Sequence, residues 1–146
     1  MTTPYSNIFE RFANSLQDYE LDALYVMSED DYESFLIGFL KKATVKFKKC
    51  SNDLTDRNDT TKLFTDTLTE EEEEILSTLM TVEWINRETN RLLDIRMGLS
   101  DTDYKRYSEA NNLKEKSARY KQLKIDADKL IIDYTYDNAD LTALGW

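Results

Sequence analysis

Residues 69–134, TEEEEEILSTLMTVEWINRETNRLLDIRMGLSDTDYKRYSEANNLKEKSARYKQLKIDADKLIIDY, hold one break in an otherwise helical pattern, at Gly98-Leu99-Ser100. That stretch decides the fold. It predicts two long antiparallel helices, about 70–97 and about 101–134. At about 1.5 Å per residue the second arm alone reaches roughly 50 Å. A compact globule of this length has a radius of gyration near 15 Å, so an arm of that reach projects beyond its own core and needs a neighbour.

Thr69, followed three residues later by Glu72, forms a capping-box pattern at the start of the first arm, with further acids against the positive helix end. Taking Ile75 as zero and about 100° per residue, Leu79, Val82 and Leu93 fall within roughly 40° of it. Met80, Trp84 and Ile95 fall at about 140–200°, on the far side. The helix therefore has two apolar faces. One packs within the subunit; the other is either core as well or a contact for a neighbouring chain. Gly98 suits a C-terminal cap, and Ser100 with Asp103 starts the second arm. That arm carries Tyr104, Tyr107, Leu113, Tyr120, Leu123, Ala127, Leu130, Ile131 and Tyr134 among many charges. To about Lys124 it is polar over most of its circumference, so it bridges, pairs or frays.

Outward from the hairpin, residues 135–146 read as an extended tail with Leu141, Leu144 and Trp146 as apolar anchors. Upstream, Ser51–Leu68 is polar and reads as a long loop, with Leu54, Leu63, Phe64 and Leu68 as anchors. Before it, Ser28-Glu-Asp-Asp31 signals a helix start, and Phe35, Leu36, Phe39, Leu40, Ala43 and Phe47 form its apolar stripe. Lysines at 41, 42, 46, 48 and 49 crowd its C-terminus, where the helix dipole favours cations. Asp18–Met27 reads as a short helix or turn. At the N-terminus, residues 1–6 look extended, Ser6 is the expected cap, and Ile8, Phe9, Phe12 and Leu16 share one helix face. The expected class is all-α: one helical domain over 1–134 with the hairpin, and a docking tail over 135–146.

The 146 residues are 40% hydrophobic and 33% charged, with three Gly and one Pro. That is globular helix-forming material. Net charge is −10, which disfavours nonspecific phosphate binding. The charges come in blocks: eight acids and one base in 1–40, five Lys in 41–49, seven bases and two acids in 104–124. Such blocks suit subunits whose unlike faces meet. There is no His, which removes the commonest general base, and a single Cys, which removes thiolate zinc clusters and intrachain disulfides. No glycine-rich phosphate loop is present. The Glu70–Glu74 run is explained by helix-start electrostatics rather than by a cation site. No enzyme activity, metal or cofactor is expected. The opening Met1-Thr-Thr-Pro-Tyr-Ser is no signal peptide and no apolar run spans a bilayer, so synthesis in a cytoplasm is expected.

Several short pieces together resemble the head–tail connector (neck, or adaptor) proteins of tailed bacteriophages. They are Pro4-Tyr5-Ser6 before Ile8 and Phe9, the Asp53-Leu54-Thr55-Asp56-Arg57-Asn58 loop, and Leu68-Thr69 before the Glu run. Ile75-Leu76, Met80, Trp84 and the Tyr134-Thr135-Tyr136 to Leu144 ending complete them. The similarity spans most of the chain as an order of elements.

That resemblance implies a virion protein: a ring of about a dozen copies under the portal, linking capsid to tail around the DNA channel. The portal and another neck or tail-completion protein would be its partners. Tyr136, Asp137, Asp140, Leu141, Leu144 and Trp146 would form the portal-binding tail. Met80, Trp84 and Ile95 are candidate inter-subunit contacts, and Glu70, Glu71, Glu73 and Glu74 a candidate acidic lumen past which DNA slides without sequence-specific binding. The layer of the neck, and whether loop 51–68 meets DNA or protein, stay open. Two other classes compete: an acidic DNA-mimic inhibitor, and a small coiled-coil interaction protein.

Overall fold

The structure is a computed structural model that describes residues 2–16, 29–98 and 103–137, with side chains over 2–16, 32–90 and 114–137. Four helices carry it: α1 (Tyr5–Ser15), α2 (Glu29–Lys46), α3 (Glu70–Gly98) and α4 (Asp103–Asp137). The all-α class holds. The hairpin arms are α3 and α4, each within three residues of its expected ends. The turn between them, like Ser28 and the 18–27 stretch, lies outside the described residues.

α3 is the common partner of the other three helices. Its start is set by the expected capping box: the Glu72 N–H donates to Thr69 Oγ1 at 3.2 Å, and Glu72 Oε1 accepts from the Thr69 N–H at 2.8 Å. Beyond the cap, over Ile75–Ile85, both apolar faces are sealed. Ile75, Leu79 and Val82 on one side, and Met80 and Trp84 on the other, are all buried in the chain's own core. Met80 and Trp84 are therefore not held in reserve for a neighbouring copy. α1 lies on α3 through Ile8 and Phe12, tied by Arg11 to Glu73 at 3.3 Å and Glu74 at 2.9 Å, and by Ser15 to Thr81 at 2.9 Å. α2 buries Leu36, Phe39, Leu40 and Ala43, with Phe47 just past its end, as the stripe predicted. Its Lys46 pairs with Glu83 of α3, and the Arg87 guanidinium sits 4.9 Å from the Phe35 ring centre.

Two expectations need correction. Ser6 does not cap α1. The helix begins at Tyr5 with Pro4 in the cap position, and the Tyr5 N–H donates to the Lys62 carbonyl at 2.9 Å. Proline fixes the extended entry and leaves no donor of its own to satisfy. The 51–68 segment is not only loop: Arg57–Asn58 (β2) and Leu63–Phe64 (β3) form a hairpin, and Thr3–Pro4 (β1) adds to β3. The antiparallel register pairs Thr3 with Phe64 and Arg57 with Phe64. Asn58 Oδ1 accepts from the N–H groups of Thr60 and Thr61 to make the turn, and Lys62 takes the left-handed conformation, φ 59°, usually left to Gly. The expected anchors Leu54, Phe64 and Leu68 are buried, and Tyr5 packs on Phe64 with ring centres 5.0 Å apart.

Candidate interaction surface

The outer features of α4 depend on how its C-terminal half is fixed, and that fixing is polar. Glu72, 1% exposed, is the hub. Its Oε1 accepts from Asn52 Nδ2 at 2.8 Å as well as from the Thr69 N–H; its Oε2 accepts from the Tyr134 hydroxyl at 2.9 Å and from Cys50 Sγ at 3.0 Å. The one proton of Tyr134 goes to the carboxylate, so the hydroxyl oxygen accepts from the Ser51 N–H at 2.8 Å, with Ser51 Oγ at 3.0 Å. Phe47 stacks edge-on to Tyr134, ring centres 5.1 Å apart. The cap residue of α3 thus locks the end of α2, the following loop and the last turns of α4 to one point.

Burial alone would raise the Glu72 pKa, but the bonds from Thr69, Cys50, Tyr134 and Asn52 outweigh it and hold the carboxyl below its usual range. For Cys50 the same surroundings act in the other direction. Burial and then the neighbouring carboxylate push its thiol up to about 12. Burial first, opposed by Ser51 and reinforced by Glu72, also raises Tyr134. A thiol so held is protonated and a poor nucleophile. The cluster is a clasp.

Held this way, α4 turns one line of side chains to α3: Tyr120, Leu123, Ala127, Leu130 and Tyr134, at alternating spacings of three and four. Among residues 114–137 only Ala127 and Tyr134 are fully buried. The opposite line is apolar too. Ile125, Ile132 and Tyr136, exposed by 61%, 66% and 75%, fall within about 40° of one another and roughly 180° from Ala127 and Tyr134. Lys121 and Lys129 flank that line at about 40° on either side. Around the helix, an open groove of about 480 Å³ runs between α2, α3 and α4, floored by Leu79, Val82, Ala127 and Ile131. Val45, 66% exposed, stands on its α2 edge, and Lys48 and Lys124 are at its rim. Lys48, Lys121, Lys124 and Lys129 have no ion-pair partner among the described residues. The large apolar side chains that stand mostly exposed among the described residues are Val45 at this groove and Ile125, Ile132 and Tyr136 on the outer line of α4.

The residues singled out in the sequence are distributed otherwise. Tyr136 and Asp137 are not extended tail: α4 continues through both, and Tyr136 projects from its last turn. Asp140, Leu141, Leu144 and Trp146 lie outside the described residues, as does the side chain of Ile95. Of the Glu run, Glu73 is buried against Arg11 and Asn7, Glu74 shares Arg11, and Glu70 and Glu71 are exposed. Arg11 of α1 thus bridges Glu73 and Glu74, and Glu70 and Glu71 are the run's exposed carboxylates with no ion-pair partner among the described residues. The Ile125–Ile132–Tyr136 line was missed by the sequence reading, although its seven- and four-residue spacing could have found it. The core stripe dominates the helical pattern of α4, and the second stripe is short.

Among the described residues no helix is long and apolar enough to cross a membrane. No family model matches the chain, and neither a curated protein nor a solved structure does.

Proposed function

We propose that this chain is a structural subunit of a tailed-bacteriophage neck, a head–tail connector that forms a ring under the portal and surrounds the DNA channel. The observation that carries the reading is α4: 35 residues of helix, locked at one end by the Glu72 clasp, with an apolar line turned away from its own core. A helix so placed gains burial only from a neighbour. The exposed Glu70 and Glu71 suit a surface past which DNA moves, because acidic groups do not exchange counterions with phosphates. In this reading the portal-binding element starts in the last turn of α4, at Tyr136 and Asp137, and continues through Asp140, Leu141, Leu144 and Trp146.

The competing classes have less support. A DNA mimic needs a continuous negative face, whereas α4 and the segment just after α2 present Lys48, Lys121, Lys124 and Lys129, with no ion-pair partner among the described residues. A coiled-coil dimer needs a sustained heptad seam, and the open line of α4 gives little more than one heptad, with Lys129 at one of its core positions.

The test is location. An antibody against this chain, applied to tailed particles made from the genome that encodes it, labels the junction of head and tail. Labelling elsewhere, or absence of the chain from purified particles, overturns the proposal. Deletion of Asp140–Trp146 leaves a helical protein that no longer attaches to particles; normal incorporation of the truncated chain would remove the tail from the reading.

A further inference from the structure

We infer that the outer line of α4 is one half of a self-association contact whose other half is the groove between α1 and α2 of a second copy. The first half is a ridge: Ile125, Ile132 and Tyr136 project from one side of the helix, flanked by Lys121 and Lys129. The second half is a shallow groove of about 280 Å³, floored by Phe9, Ala13 and Tyr32 and edged by Glu33, which is paired with Lys62, and by Glu10, which has no ion-pair partner among the described residues. One is convex and apolar, with Lys121 and Lys129 nearest its margins and the exposed Asp128 and Asp133 about 20–40° farther round the helix. The other is concave and apolar, with the Glu10 carboxylate at its margin.

The charge pattern decides the mode. Two ridges brought face to face would set Lys121 and Lys129 against their copies, and two grooves would set Glu10 against Glu10, so a symmetric dimer through either half is penalised. Ridge against groove pairs unlike charges around an apolar centre. The halves lie on different helices, so every copy that uses its ridge still offers its groove. Contacts of this kind generate closed rings when the rotation closes, and filaments when it does not. The chain's net charge of −10 makes copies repel at long range, so the contact depends on short-range burial and strengthens when salt screens the overall repulsion.

This inference deepens the ring proposed above by naming its contact, and it can fail separately. The purified chain is followed by sedimentation and light scattering up to about 0.5 mM, a range that detects contacts of millimolar strength. The wild type is expected to associate beyond a dimer, and Ile132→Asp to raise the apparent dissociation constant at least tenfold. Its helical content and melting temperature stay as in the wild type, because Ile132 is exposed. Lys121→Glu/Lys129→Glu and Glu10→Lys each weaken association alone. Mixed, the two associate again, because the reversed ridge now fits the reversed groove. Wild-type association untouched by Ile132→Asp would overturn the ridge and leave the ring to another surface. A wild type that stays monomeric throughout would also overturn the inference, while the labelling of particles decides the neck assignment on its own.

Discussion

Glu72 is read twice by the fold. As the third residue after Thr69 it completes a helix cap, and as a buried carboxylate it holds Tyr134, Cys50 and Asn52. Replacing it by Gln puts an amide N–H where only donors arrive, which costs about 2–3 kcal/mol, the penalty for buried unmatched donors. A melting curve at pH 7 checks it. The pH dependence follows from the lowered pKa. The unfolded carboxyl titrates near pH 4.3, the folded one below that, so its stabilisation is complete above about pH 4.3 and is lost as the pH falls through the folded value. Glu72→Gln is therefore expected to melt with a flatter acid limb than the wild type between pH 5 and 3. Cys50, with its thiol at about 12, is expected to react with iodoacetamide at pH 8 on the order of a hundred- to a thousandfold more slowly in the folded chain than in urea, by its smaller thiolate fraction. Equal rates would show that the clasp does not hold the thiol.

At the scale of the element, α3 and α4 have opposite characters. α3 is sealed on both faces around Trp84, so Trp84→Ala opens a cavity and is expected to cost about 3–5 kcal/mol in a thermal melt, with the contact of Lys116, 5.5 Å from the ring centre, lost as well. An unchanged melting temperature would mean that Trp84 is not core. Thr69→Ala removes half of the capping box and is expected to cost about 1 kcal/mol. α3 was legible in the sequence because each of its signals is local: a hydroxyl, a carboxylate three residues on, and apolar residues recurring on helical angles. The small sheet was not. Its strands have two residues each, its turn carries Lys62 instead of Gly in the left-handed position, and its third strand comes from Thr3 and Pro4, some sixty residues away. Thr3 shows why pairing at that distance is invisible: its hydroxyl donates to the Asp66 carbonyl at 2.9 Å and accepts from the Leu68 N–H at 2.8 Å, contacts that exist only once the chain has folded back.

For the whole molecule, one central helix serves three others, and this predicts a gradient of stability. Amide hydrogens of α3 between Ile75 and Ile85 are expected to exchange last, since opening there requires separating α1, α2 and α4 together. If α4 amides outlast them, the hairpin rather than α3 is the stable unit. The sequence by itself determined the helical class, the capped start of α3, the hairpin and the apolar stripe of α2, because these rest on interactions spanning three or four residues. Only the tertiary structure decided that both faces of α3 from Ile75 to Ile85 are spent inside the subunit, and that Ile125, Ile132 and Tyr136 of α4 stand exposed. A period in a sequence marks which side chains share a face; which faces meet depends on the directions in which helices cross, and those are set by packing among residues far apart in the chain.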